Sequence, residues 1–269
     1  VFDIQVRVEA AGHTALCEIA GSHTNVIRME RDDEVLLSEP FEEAAGEKDA
    51  GTDRGCLSIE QIVEFADAVD LEDVKQVLGR QIACNMAIAR EGLEGSWGAG
   101  IGSVLLEAYG DGVANRAKAW AAAGSDARMG GCELPVVINS GSGNQGLTAS
   151  VPVIVYAQEL GVPHEELLRA LVVSNLVTIH LKTGIGRLSA YCGATSAGAG
   201  AAAGITYLYG GRADEVAHTV VNAIAIDSGM VCDGAKASCA AKIASAVEAG
   251  LLGMQMQRQG KEFFGGDGI

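Results

Sequence analysis

The chain has 269 residues, of which 48% are hydrophobic but only 4% aromatic, and 36 are glycine, so its core must be aliphatic and built from closely approaching helices. A formal charge of -16 gives a surface that repels phosphate backbones and disfavours nucleic acid as a partner. No stretch of about 18 residues is apolar throughout and no basic segment leads into an apolar one, so neither a membrane span nor a signal peptide is expected.

The first 40 residues read as sheet. Phe2 to Val8 alternates, ALCEIAG follows a Gly-His-Thr turn, TNVIRMERD is a third candidate, and Arg31-Asp32-Asp33 turns the chain into EVLLSEPF. Three or four antiparallel strands with one buried face fit this pattern. The polar stretch from Glu42 to Gly55 is expected to be a loop or short helix.

From Ser58 the period becomes helical, with Ser58 as a cap and Ile59, Ile62, Val63 and Phe65 among the apolar positions. Further helices are expected from Leu71 toward Glu91, in WGAGIGSVLLEAYG and VANRAKAWAAAG, and over Leu147 to Leu160, His164 to His180, Ala194 to Leu208, Glu215 to Asp227 and Ala235 to Leu252. KEFFGGDGI reads as a frayed tail. The expected fold is α+β and predominantly helical: a small antiparallel β subdomain with its linker over residues 1–55, then an Ala/Gly-rich helical domain over 56–269.

The most informative local segment is PVVINSGSGNQGLTAS. An extended run over Val136 to Ile138 reaches Ser140, Gly141, Ser142, Gly143, Asn144, Gln145 and Gly146, with a helix expected to begin near Leu147 or Thr148. Small residues let backbone donors and a helix N-terminus face one point, where a substrate carboxylate is a natural guest. The Gly-Lys-[ST] ending of a phosphate loop is absent. A plain glycine-rich turn capped by serine and asparagine is the competing reading.

Seven cysteines cannot all pair, and a chain of this size needs no stapling, which points to a reducing cytoplasm. Cys192, Cys232 and Cys239 lie in the glycine-rich settings YCGATSAGAG and GMVCDGAKASC. Their spacing is unlike ferredoxin loops or zinc knuckles, so only folding can bring them together, and buried structural thiols remain an alternative. Cys17, Cys56, Cys84 and Cys132 read as core or incidental. His23, at a turn in GSHTNV, and His180, ending ALVVSNLVTIH, are candidate acids or bases. Lys182 and Lys236 are candidates for carboxylate binding or proton transfer. Nothing around either lysine establishes a pyridoxal Schiff base.

Taken together, SGSGNQG, YCGATSAGAG and GMVCDGAKASC, with SHTNV near the start, resemble the bacterial and archaeal L-cysteine desulfidase family, related to the alpha domain of iron–sulfur L-serine dehydratases. The resemblance runs through almost the whole chain. It implies a cytoplasmic, pyridoxal-independent lyase with an oxygen-sensitive [4Fe-4S] cluster on Cys192, Cys232 and Cys239. The segment Ser140 to Gly146 would then contact substrate, and His23, His180 and Lys182 are the candidate catalytic groups. The implied reaction converts L-cysteine to pyruvate, ammonia and sulfide. L-serine dehydration and a noncatalytic metabolite-binding role, or a truncated fragment, are the alternatives. The family also carries an N-terminal segment with a Cys-Thr-Glu-Pro cysteine that this chain, opening at Val1, lacks; a missing flank or a separate partner chain would supply it. The alanine-rich helices suit packing within one protomer or across a homodimer, and no heptad pattern decides between them.

Overall fold

The computed structural model describes residues 3–21, 25–41, 53–186 and 189–267. They fall into two compact units, Val1–Asp53 and Arg54–Ile269. The chain is α+β and mostly helical, with four strands and nine helices among the described residues.

The first unit is an antiparallel meander of β1 (Asp3–Ala10), β2 (His13–Ala20), β3 (Val26–Arg31) and β4 (Glu34–Ser38), neighbours in sequence order. Ala11 and Gly12 join β1 to β2 with φ of 51° and 80°, the double positive φ that a two-residue hairpin turn needs to match strand twist. Ile4, Val6 and Val8 pair with Ile19, Cys17 and Ala15 and share one face as the alternation predicts, but they are 46%, 53% and 57% exposed, so the expected burial of that face does not hold for β1. Most of the expected linker, residues 42–52, lies outside the described residues.

The second unit contains α1 (Ile59–Ala68), α2 (Leu71–Glu94), α3 (Ile101–Tyr109), α4 (Val113–Met129), α5 (Gly143–Leu160), α6 (His164–Ile185), α7 (Gly193–Leu208), α8 (Ala213–Asp227) and α9 (Cys239–Arg258). Ser58 caps α1 by accepting from Gln61 N at 3.2 Å, and Asp70 caps α2 through Glu72 N at 3.0 Å. The hub is α7, buried from Ser196 to Tyr207 and packed on α5, α6, α8 and α9. Its missing side chains set the spacing: a Cβ on Gly198 would stand 2.3 Å from Ala246 O of α9, and one on Gly200 2.1 Å from Thr178 Oγ1 of α6. No helix among the described residues is long and apolar enough to cross a membrane.

Three local expectations change. α5 begins at Gly143, four residues before Leu147, because Ser142 serves as its N-cap and draws Gly143-Asn144-Gln145-Gly146 into the first turn. Residues 232–238 are not helical; Gly234, with φ of 95°, bends them, and Cys239 is the first residue of α9. The tail is tied down by Asn222, whose Oδ1 accepts from Phe263 N at 2.8 Å and whose Nδ2 donates to Lys261 O at 3.2 Å.

Candidate functional site

The glycine-rich segment is held from behind by a buried polar relay that sequence reading did not find. Asn85 on α2 is fully buried; its Oδ1 accepts from Val137 N at 2.8 Å, and its Nδ2 donates to Ser150 Oγ at 2.9 Å and Val137 O at 3.3 Å. Asn139 Nδ2 donates to Asn175 Oδ1 at 2.9 Å, and Asn175 exchanges amide hydrogen bonds with Gln81 at 2.8 and 2.9 Å. The Val137 N–H and C=O of the extended run are thereby satisfied by a side chain in place of a sheet neighbour. Asn139 and Ser142 then close a tight turn on each other, with Ser140 and Gly141 at φ of 48° and 81°. That turn delivers the chain into α5.

Two other helix starts reach the same place. Cys192 is the N-cap of α7, and Cys239 opens α9. Tyr191 and Val231 form an isolated antiparallel bridge, with Cys192 N donating to Met230 O at 3.0 Å and Cys232 N to Ala190 O at 2.7 Å. The result is one cavity of about 330 Å³ whose wall includes Cys192, Cys232 and Cys239. Gly141, Ser142, Asn144 and Gln145 line it too, while Ser140, Gly143 and Gly146 do not.

Three cations face this space: Arg128 from the last turn of α4, Lys182 from the last turn of α6, and Lys242 from the first turn of α9. No carboxylate is among the residues lining the cavity. Three helix N-termini and these three cations, of which Lys242 is paired with Asp233, face the pocket of an otherwise acidic chain, a setting that favours anionic ligands. Lys182 is only 5% exposed, and burial pulls its ammonium below the usual lysine range, against the opposing pull of Cys192 and Cys232. Burial likewise pushes the Cys192 thiol up, while the Ala194 backbone N–H and Lys242 hold it down. Lys242 is raised chiefly by its hydrogen bond to Asp233.

The candidates separate clearly by location. Lys182 and the three cysteines stand around the cavity, His180 on α6 is not among its lining residues, and His23 lies outside the described residues. Lys236 pairs with Asp233 at 3.4 Å. Arg128 and Lys242 went unrecognised in sequence; Lys242 follows Cys239 by three positions on one helical face, a usable signal, whereas Arg128 carried none. Among the described residues, no group of three or more His, Cys, Asp or Glu side chains is placed to hold a metal ion.

The profile of the serine dehydratase alpha chain matches residues 12–268, and the chain belongs to that family. It is 58% identical to a UPF0597 protein of Desulfitobacterium hafniense, with 100% of this chain and 62% of the relative aligned. UPF0597 proteins of Lachnoclostridium phytofermentans and Treponema denticola are 53% and 48% identical over 99% of the chain and 63% of their own length. The chain thus spans somewhat less than two thirds of these relatives. No solved structure matches it.

Proposed function

We propose that the protein is a pyridoxal-independent lyase that eliminates the β-substituent of L-cysteine, giving pyruvate, ammonia and sulfide, with Cys192, Cys232 and Cys239 holding a [4Fe-4S] cluster. The observation that carries this reading is the arrival of three cysteines from separate segments at one cavity, opposite the start of α5 and beside Lys182. The donor set suits the group: three soft thiols, with no carboxylate in the wall to compete. A single ion needs all its donors around one point, which the described residues do not offer; a cubane gives each thiolate its own iron and tolerates a wider triangle. When bound, the cluster would supply a Lewis-acidic iron for the departing sulfur.

The chain's own residues would do the rest. The first turn of α5 offers unpaired backbone N–H groups, with Ser142 and Asn144 beside them, to the substrate carboxylate. Lys182 Nζ, buried, without a hydrogen-bond partner among the described residues and with its pKa lowered by burial, is the group placed to take the proton from the substrate α-carbon. Elimination leaves aminoacrylate, whose imine form hydrolyses to pyruvate and ammonia. We assign the proton-transfer role to Lys182 ahead of His180, which lies outside the cavity wall. The free thiols of Cys192, Cys232 and Cys239 and an oxygen-sensitive group both call for a reducing cytoplasm.

A second reading, dehydration of L-serine, is favoured by the description of the matching family. The activity is proposed for the whole protein, since this chain spans 62% of its Desulfitobacterium relative; a further segment or partner chain would complete the apparatus. The deciding experiment is anaerobic reconstitution with iron and sulfide of this chain and of the full-length protein, then assays of pyruvate and sulfide from L-cysteine and of pyruvate from L-serine. About four irons per protein, lost when any one of the three cysteines becomes serine, with sulfide released from L-cysteine, is the expected result. Iron and pyruvate from L-serine alone would select the second reading. No bound iron in either form would return the cysteines to structural roles.

A further inference from the structure

We infer that Arg128 is the charged anchor for a ligand carboxylate in this cavity, an inference that takes from the proposed function the identity of the ligand as an α-amino acid. The chain has 35 acidic residues against 19 Lys and Arg, yet Arg128 has no ion-pair partner among the described residues. Its guanidinium makes one side-chain hydrogen bond among them, from Nη1 to Asn144 Oδ1 at 3.2 Å. Four of its five N–H donors are left for something else.

Its position sharpens the point. A Cβ on Gly143 would fall 2.5 Å from Arg128 Nε and 2.9 Å from Cζ, so the guanidinium lies directly against the first residue of α5. A helix N-terminus carries partial positive charge, and a cation pressed against it is electrostatically opposed. An anion bound between them removes the conflict, because both groups then point donors at the same oxygens. The second observation is Gln145, two residues further along α5: it is 7% exposed, lines the same cavity, and its Oε1 is buried with no hydrogen-bond partner. A buried acceptor left unpaired calls for a donor. An α-amino acid carries an anion and an N–H-rich cation one carbon apart, matching Arg128 on one side and Gln145 Oε1 on the other. Arg128 cannot give up its proton in a protein, so it binds and orients, leaving proton transfer to Lys182.

The test is calorimetric binding to the oxygen-free protein of three probes that cannot undergo β-elimination of sulfide: L-alanine, propionate without the ammonium, and ethylamine without the carboxylate. L-alanine should bind at least about tenfold more tightly than ethylamine, and Arg128→Gln should weaken L-alanine and propionate by at least about tenfold while leaving ethylamine unchanged. Arg128→Lys should fall between, retaining charge without the fork. Gly143→Ala, which displaces the guanidinium without removing it, should mimic Arg128→Gln with an intact circular dichroism spectrum. Unchanged L-alanine affinity in Arg128→Gln overturns the inference, as does a variant whose only defect is lower iron content, which would mean that Arg128 balances the charge near Cys239. Binding of propionate through Arg128, with L-alanine no tighter, would keep the anchor and reject the amino-acid reading. If neither carboxylate binds the unaltered protein, both fall.

Discussion

Cys192 and Cys232 stand diagonally across the Tyr191–Val231 bridge, because each follows a member of that pair on its own strand. In an antiparallel pair the residues that follow each partner share a face on opposite sides of the pair, and such diagonal neighbours sit about 7–8 Å apart at Cα. That separation is wide for a disulfide, whose Cα atoms usually lie within about 6.8 Å, and it leaves both thiols free to face a common guest. Cys192, Cys232 and Cys239 form no disulfide.

Lys182→Met tests the buried amine. The methionine keeps most of the volume and removes the charge, so cysteine turnover should fall by about a hundredfold or more in kcat. The melting temperature should hold or rise, since an unpartnered buried ammonium costs free energy. Full turnover in the variant would remove Lys182 from proton transfer.

Gly193→Ala tests how tightly the starts of α5 and α7 interlock. The added Cβ would meet Gln145 Cδ at 2.4 Å and Oε1 at 2.7 Å, forcing the amide aside. Alanine improves helix propensity at this position, so stability should change by less than about 1 kcal/mol. Turnover should nevertheless drop at least about tenfold, as measured by pyruvate release. Equal activity would show that the Gln145 side chain is not needed where it sits.

Gly198→Ala tests the spacing of the helices that carry Cys192 and Cys239. Here the obstacle is backbone, Ala246 O at 2.3 Å and Ala246 C at 2.6 Å, and neither can swing away. Overpacking of this kind costs about 1–3 kcal/mol, readable as a lowered denaturant midpoint with an unchanged slope. Bound iron after reconstitution should fall with it.

Asn85→Ala removes the relay behind the glycine-rich segment. It orphans Val137 N–H and leaves Ser150 Oγ without its donor, at a cost of about 2–3 kcal/mol in chemical denaturation. Because the run from Val137 to Asn139 aims α5, KM for the amino acid should rise more than kcat falls. A stable variant with unaltered KM would show that the turn is held by its own hydrogen bonds.

Asp227→Asn tests a buried carboxyl. Burial raises the pKa of Asp227 above its ordinary 3.8, outweighing the hydrogen bond from Thr195, and Oδ2 has no partner. The folded state therefore holds this proton more tightly than the unfolded chain does. Below pH 3.8 the unaltered protein bears no ionisation cost; as pH climbs from there through the raised value, it loses stability, and above that value the loss is complete. Melting curves of protein and variant taken from pH 4 to 8 should diverge upward in favour of Asp227→Asn. A constant gap would rule out the titration.

What repeats with a short period is legible in the residues alone. Strand alternation over Phe2 to Val8, the Ser58 cap and the 3.6-residue pattern of the helices are local signals, and most elements formed where they were expected, with α5 starting earlier and α9 later. The glycine-rich segment after Ile138 was legible as a sharp turn, since Gly141 readily takes a positive φ, whereas the positive φ of Ser140 is set by the fold. The family was legible because its motifs stand in one order along the chain. Tertiary packing alone brings the last turns of α4 and α6 and the starts of α5, α7 and α9 to one cavity, places Arg128 and Lys242 in its wall, and leaves His180 outside it. Those facts depend on contacts between residues far apart in sequence, set by the close approach of α7 to its neighbours at Gly198 and Gly200. Such packing leaves no periodic trace in the chain, because it is written in the volume that side chains leave empty.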